Sequence, residues 1–157
     1  MAPPIELHLG YGVLRRGVPS PASFRRWVAA ALTAAHRRKP AELSIRIVGL
    51  REGRELNRRY RDKDHATNVL SFGFDLEPAE LSAGVDSHLL GDIAICASVV
   101  ACEACAQEKN LRDHYAHLTV HGVLHLLGFD HQTTRDAVRM EVLETRILAA
   151  LGVANPY

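Results

Sequence analysis

Residues 121–131 have the sequence HGVLHLLGFDH and place His121, His125 and His131 within one short stretch. The first two are four residues apart, a spacing that puts both imidazoles on one helix face, one turn apart, within reach of a single ion. His131 follows six residues after His125, too far along to share that face. Gly128 lies between them and can adopt the left-handed conformation that ends a helix and turns the chain back. The stretch predicts a helix, a turn and three converging histidines.

Three converging histidines are typical of a catalytic zinc site, which keeps a fourth position open, whereas a structural site closes all four. We expect one zinc ion per chain, held by His121, His125 and His131. For an isolated pair of histidines, the better interpretation would be two surface or capping residues. The third histidine and the glycine, both at the required spacing, favour a metal site instead. Asp130 is expected to bond to a ligand, to act as a base, or to cap the turn near Thr133.

The spacing is also that of the metzincin proteases, H-E-x-x-H-x-x-G-x-x-H. Those enzymes need the glutamate after the first histidine, because it takes the proton from the attacking water. Here that position is Gly122. A zinc ion without an adjacent carboxylate still acts as a Lewis acid. The substitution therefore counts against proteolysis and leaves other hydrolytic chemistry open.

Outside this stretch, the apolar pattern predicts strands interspersed with helices. Strands are predicted over residues 5–9, 43–48, 69–74 and 93–96. Helices are predicted from Ser20-Pro21 to before Pro40, over residues 51–60, 98–109 and 111–127, and from Thr133 or Thr134 to before Gly152. We expect one domain over residues 1–157, an α/β or α+β fold with about four strands covered by helices and the metal site on a helix of the C-terminal half.

Composition excludes several classes of protein. The 157 residues are 47% hydrophobic and 24% charged, with a net charge of +1, unlike a polybasic arm or an acidic disordered tail. The charge is uneven: residues 1–65 hold 14 basic and 6 acidic side chains, and residues 66–157 hold 5 and 12. Such a chain can present one cationic face to a polyanion.

The sequence also predicts a cellular location. It contains no apolar run of the roughly 18–20 residues that cross a bilayer, and its first residues lack the regions of a secretion signal. Three cysteines cannot form a fully paired disulfide framework, which fits a reducing compartment. We expect a non-exported, cytoplasmic protein with no membrane partner. Cys102 and Cys105 are expected to be small core residues, and His114 and His117 to pack or to pair with Asp113.

Three blocks of sequence match a known family. They are HLTVHGVLHLLGFDH at residues 117–131, Leu56-Asn57 with YRDKD at 60–64 and TNVLSF at 67–72, and LGDI at 90–93 with Ile95-Cys96. In this combination the chain resembles the YbeY family of bacterial metal-dependent endoribonucleases of ribosomal RNA maturation. The blocks cover most of residues 55–151, whereas residues 1–50 are generic. One departure is Gly73, where the family usually has proline.

The resemblance implies a fold, a cofactor and a substrate. It implies a four-stranded mixed sheet flanked by helices and a zinc ion on His121, His125 and His131. It also implies cleavage of single-stranded RNA, notably in forming the 3′ end of small-subunit ribosomal RNA, and a part in ribosome quality control. The expected partners are single-stranded RNA, ribosomal RNA or the ribosome, and no DNA.

Arg61 takes the position of the family's functionally required arginine. A guanidinium is planar and always charged, so it can hold two oxygens of a phosphate whose negative charge grows during cleavage. Arg61 lies in the most basic stretch of the chain, beside Arg51, Arg54 and Arg58. For these three, a solvated helix face with ion pairs between neighbouring turns is the better interpretation.

Two other functions compete with an endoribonuclease. The first is a zincin-like metallopeptidase or amidase, against which Gly122 stands. The second is a metal-stabilised ribosome-assembly factor that binds RNA or protein without cutting it. An assay with single-stranded and duplex RNA, with and without chelator, separates these functions.

Overall fold

The central layer of the molecule is a β-sheet that carries helices. The structure is a computed structural model that describes residues 2–73 and 88–157. Within these residues the sheet has four strands: β1 (Ile5–Tyr11), β2 (Ala41–Val48), β3 (Val69–Gly73) and β4 (Leu89–Cys96). The same residues contain five helices: α1 (Pro21–Ala34), α2 (Leu50–Arg61), α3 (Ala97–Ala106), α4 (Leu111–Leu126) and α5 (Thr134–Ala150).

The sheet is mixed and has the strand order β1-β2-β4-β3. β1 pairs with β2 and β2 with β4 in parallel, with Ile45 of β2 opposite both Leu9 and Ile93. β3 runs antiparallel to β4 and forms one edge of the sheet. The predicted α+β fold with a four-stranded mixed sheet is confirmed.

Local signals explain where α1 begins. The Ser20 side chain accepts a hydrogen bond from the Ser23 backbone N–H, and Pro21 occupies the first helical position. The buried face of α1 includes Phe24 and Trp27. The ring of Phe24 packs edge-on against Tyr115 of α4, with the ring centroids 6.2 Å apart. This contact joins the first helix to the helix that carries the histidines.

α4 lies over the part of the sheet formed by β3 and β4. Its buried residues include Leu118, Val120, Val123 and Leu124, which belong to the hydrophobic core. His121 and His125 are only half-buried, because they lie at the margin of this apolar face. Core packing therefore fixes the helix while its histidines remain accessible.

The predicted elements are all present, and the differences are at their ends. β1, β2 and β4 are longer than predicted, and α1 ends at Ala34, well before Pro40, because His36 adopts a left-handed conformation with φ of 60°. The predicted third strand extends to Phe74, which lies outside the described residues, as does most of the predicted loop before β4. Within the described part of the chain, every helix is too short or too polar to cross a bilayer.

Candidate metal centre

His121 and His125 point toward each other from successive turns of α4. Their Nε2 atoms are 3.0 Å apart, and their ring centroids are 4.6 Å apart. The spacing of four residues in the sequence predicts this arrangement. Two ring nitrogens therefore face one point beside the helix.

The turn after α4 brings His131 to the same point. Gly128 has a φ of +97°, its N–H donates to His125 O, and the N–H of Phe129 donates to Leu124 O. These two bonds form the glycine-terminated helix end that the sequence predicts. The ring centroid of His131 then lies 5.8 Å from that of His121 and 5.0 Å from that of His125. One ring nitrogen from each histidine lies within 4.8 Å of the others.

The chemistry of these donors fits a zinc ion. In a tetrahedral site with zinc–nitrogen bonds of about 2.0–2.1 Å, two ligand nitrogens are roughly 3.3 Å apart, close to the 3.0 Å between His121 and His125. Burial, together with the neighbouring His121 and His131, lowers the pKa of His125. The imidazole therefore stays neutral, the form that offers a lone pair to a metal.

A buried carboxylate supports His121 from the opposite side of its ring. Nδ1 of His121 donates to Oε1 of Glu144 at 2.5 Å, and Glu144 is 0% exposed. Burial acts to raise the pKa of Glu144, but hydrogen bonds from His117, His121 and Tyr157 lower it to about 2. An ionised carboxylate on one imidazole nitrogen keeps the proton there and leaves the other nitrogen for a metal. Sequence reasoning missed Glu144.

Asp130 contacts His131. Its Oδ1 accepts a hydrogen bond from the His131 backbone N–H at 2.7 Å and lies 3.4 Å from Nδ1 of the same residue. Thr133 caps α5 with its own side chain, which accepts from the N–H of Asp136. Of the interpretations open for Asp130, the structure therefore supports the bond to the third histidine.

Arg61 and the three histidines line one open cavity of about 630 Å³. Arg61 is the last residue of α2, and its Nη2 donates to the backbone carbonyl of Ser71 on β3 at 2.8 Å. Its guanidinium carbon lies 5.6 Å from the centroid of the Phe72 ring. These contacts hold the arginine against the edge strand beside the histidines.

Three other arginines of α2 lie around a second cavity. Arg51, Arg54 and Arg58 line it together with Asp64. Arg54 forms a two-pronged ion pair with Asp64, with distances of 2.8 Å and 2.9 Å. The partner of Arg54 thus comes from the loop after α2 and not from the next turn of the helix.

His114 and His117 pack as expected, since His114 is buried and the ring of His117 lies against that of Tyr157. Their carboxylate partners are not the expected Asp113. Nε2 of His114 lies 3.0 Å from Glu103 Oε1, and Nε2 of His117 lies 3.3 Å from Glu144 Oε2, so neither has Asp113 as its partner in these contacts. The first contact joins α3 to α4, and the second joins α4 to α5. The prediction that Cys102 and Cys105 are core residues was wrong, because both are exposed. The buried residues of α3 are Val100 and Ala104.

Gly122 faces the sheet and has little free space. A Cβ atom at this position would lie 3.1 Å from Cδ1 of Ile93 and 3.3 Å from Oγ of Ser71. A glutamate side chain would have to displace these neighbours. The packing of α4 on the sheet therefore accounts for the glycine where a metzincin has its catalytic glutamate.

Fold and site together define a class of protein: an α+β chain with a mixed sheet and a candidate three-histidine metal centre on the helix that covers its edge. The family model described as Endoribonuclease YbeY matches residues 19–152. The chain belongs to the YbeY family.

Curated relatives and a solved structure agree with this assignment. An Endoribonuclease YbeY of Stenotrophomonas maltophilia is 56% identical over 153 residues, covering 98% of this chain and 93% of the relative. The protein of the same name from Alkalilimnicola ehrlichii is 53% identical and covers 99% and 93%. A solution structure of the Thermotoga maritima protein TM1509 has a TM-score of 0.58 at 20% identity, covering 94% of this chain and 91% of that one. This last likeness shows the fold.

Proposed function

We propose that this chain is a zinc-dependent endoribonuclease that cleaves single-stranded RNA. The observation that carries the proposal is the shared cavity, in which His121, His125 and His131 lie beside Arg61. The relatives' name supplies the substrate class. We further propose one zinc ion per chain, bound by the three histidines, and one functional domain over residues 1–157.

The three histidines would hold the metal, and Glu144 and Asp130 would orient two of them. A zinc ion there supplies a Lewis acid for a phosphate oxygen or for water. Glu144 holds a proton at Nδ1 of His121, so that the lone pair of Nε2 is directed toward His125, where a metal would bind. Asp130 holds the backbone of His131. These contacts preorganise the ligands before substrate binds.

Arg61 would stabilise the charge that grows on the scissile phosphate. A guanidinium has five N–H donors, so the bond to Ser71 leaves donors for two phosphate oxygens. Because the bond to Ser71 fixes the side chain, little reorganisation is needed as the phosphate gains charge. Arg61 is therefore proposed as a catalytic residue.

The substrate proposal extends to ribosomal RNA. The resemblance to the family favours formation of the 3′ end of small-subunit ribosomal RNA and ribosome quality control. The arginines around the second cavity offer positive charge for the flanking RNA backbone. Since ribosomes are assembled in the bacterial cytoplasm, we propose that the protein acts there.

A cleavage assay with matched RNAs tests the proposed function. One RNA strand is incubated with the purified protein alone and after annealing to its complement, each with and without chelator. We expect cleavage of the single strand, loss of cleavage with chelator, recovery with zinc, and weaker binding at higher salt. Equal cleavage of the duplex would refute the single-strand preference. Binding of RNA without cleavage would favour the assembly factor, and cleavage of casein would favour the peptidase.

A further inference from the structure

The segment after α5 returns to the helix that carries the histidines. Gly152 has a φ of +79° and reverses the chain. The carbonyl of Pro156 then accepts a hydrogen bond from Lys109 Nζ at 3.0 Å. The ring of Tyr157 packs edge-on against His117, with the ring centroids 5.4 Å apart. These contacts fix Tyr157 beside the middle of α4.

The hydroxyl of Tyr157 reaches the buried carboxylate that supports His121. It donates to Oε2 of Glu144, and Nδ1 of His121 donates to Oε1 of the same carboxylate. His117 Nε2 also lies near Oε2, but at the longer distance of 3.3 Å. Tyr157, Glu144 and His121 therefore form a chain of hydrogen bonds that ends at Nδ1 of His121, the ring whose Nε2 faces His125.

This chain of hydrogen bonds gives each group a defined role. Burial and the hydrogen bond to Glu144 raise the pKa of Tyr157, so its hydroxyl keeps the proton that it donates. Because Tyr157 occupies Oε2, the other oxygen remains directed at His121. Without the Tyr157 hydroxyl, Oε2 of Glu144 would keep only its longer contact with His117. The carboxylate would then rotate more freely, and its hydrogen bond to His121 would weaken.

We propose that Tyr157 is a positioning residue for the metal centre, acting through Glu144 to fix the ring and the tautomer of His121. The inference rests on the proposed function in one respect only: the three histidines must bind a metal. Tyr157 itself contacts neither the metal ligands nor the substrate in this role. Its effect is on how well His121 is prepared to bind.

The test compares two tyrosine-to-phenylalanine variants in the full chain. Tyr157→Phe removes the hydroxyl that reaches Glu144. Tyr11→Phe is the matched control, because the Tyr11 hydroxyl also donates one hydrogen bond, to the carbonyl of Pro19 at 2.7 Å, at the end of β1. Zinc affinity is measured by competition with a chromophoric chelator. The tautomer of His121 is measured in the metal-free proteins from its ring nitrogen chemical shifts.

We expect Tyr157→Phe to weaken zinc binding by about fivefold, the usual effect of one hydrogen bond on an equilibrium constant. We also expect the His121 population protonated at Nδ1 to fall in the metal-free protein. Tyr11→Phe should change the thermal midpoint but neither of these readouts. Wild-type zinc affinity or unchanged His121 nitrogen shifts in Tyr157→Phe would overturn the inference. Because no step measures RNA cleavage, this failure is distinct from failure of the proposed nuclease activity.

Discussion

Nδ1 of His121 and Oε1 of Glu144 lie 2.5 Å apart, although 23 residues separate them in the chain. Glu144 is buried within α5, and His121 is half-buried on α4. A carboxylate behind a histidine fixes the ring and raises the basicity of the nitrogen that binds metal. The packing of α5 against α4 therefore positions a residue of the proposed metal centre.

Glu144→Gln should lower zinc affinity by roughly 10- to 100-fold, the usual effect of removing such a partner. Glutamine keeps the shape of the side chain but lacks the charge that holds the proton on Nδ1. The control is Glu141→Gln, since Glu141 lies one turn earlier on α5 and is exposed. Competition with a chelator measures both variants. Equal affinities for Glu144→Gln and the wild type would show that the carboxylate only stabilises the fold.

The purified protein should contain about one zinc ion per chain, and His121→Ala combined with His125→Ala should remove most of it. The two histidines supply two of the three ligand nitrogens in the proposed site. His36→Asn is a suitable control, because asparagine tolerates the φ of 60° found at His36. Elemental analysis of matched preparations gives the metal content. Full zinc content in the double variant would refute the site.

Arg61→Ala should lower the cleavage rate at saturating enzyme by about 10²- to 10³-fold while leaving zinc content nearly unchanged. Arg61→Lys should recover little, because one ammonium cannot contact two phosphate oxygens as a guanidinium does. Arg58→Ala serves as a control, since Arg58 is on the same helix but lines the second cavity. It should weaken RNA binding without changing the saturating rate. A wild-type single-turnover rate for Arg61→Ala would remove Arg61 from the mechanism.

Gly122→Glu, which restores the residue of the metzincin motif, should destabilise the protein and produce no peptidase activity. The new side chain would meet Ile93 and Ser71 and bring a charge into the contact between α4 and the sheet. We expect a loss of at least about 2 kcal/mol in the free energy of unfolding. Gly73→Glu is the control for stability, because a Cβ atom there meets nothing within 4 Å. A stable Gly122→Glu protein that cleaves casein would revive the peptidase hypothesis.

The parts of the site that the sequence predicts depend on local geometry. The spacing of His121 and His125 follows from the helical repeat, and Gly128 marks the turn that brings His131 back. Neither inference requires knowledge of how the helices pack. The strands and helices are predicted for the same reason, since each has its own apolar period and end signals.

Glu144 and Tyr157 could not be found in this way, because their contacts depend on how α5 and the following segment pack on α4. One feature of the sequence could have indicated Glu144. Glu144 shares the buried face of α5 with Met140, Ile147 and Leu148, and a charged residue at a core position indicates a buried partner. Tyr157 follows the last helix and carries no comparable pattern. Its contact emerges only from the tertiary structure.

The turn at Gly128 provides a final test, because it joins backbone conformation to metal binding. Gly128→Ala should cost about 1–2 kcal/mol in unfolding free energy, since alanine is strained at a φ of +97°. Relaxation of that strain would shift His131, so zinc affinity should fall by about tenfold or more. Denaturant unfolding and chelator competition measure the two effects.

Gly17→Ala is the matched control for this turn. Gly17 lies in the loop before α1 and also has a positive φ, of +75°, and a Cβ atom at either glycine meets nothing within 4 Å. Both variants should therefore lose similar stability. Because the loop that contains Gly17 carries no residue proposed for the metal centre, its variant should retain a larger share of the wild-type zinc affinity. Equal losses of affinity in the two variants would show that the turn at Gly128 serves stability and does not place His131 specifically.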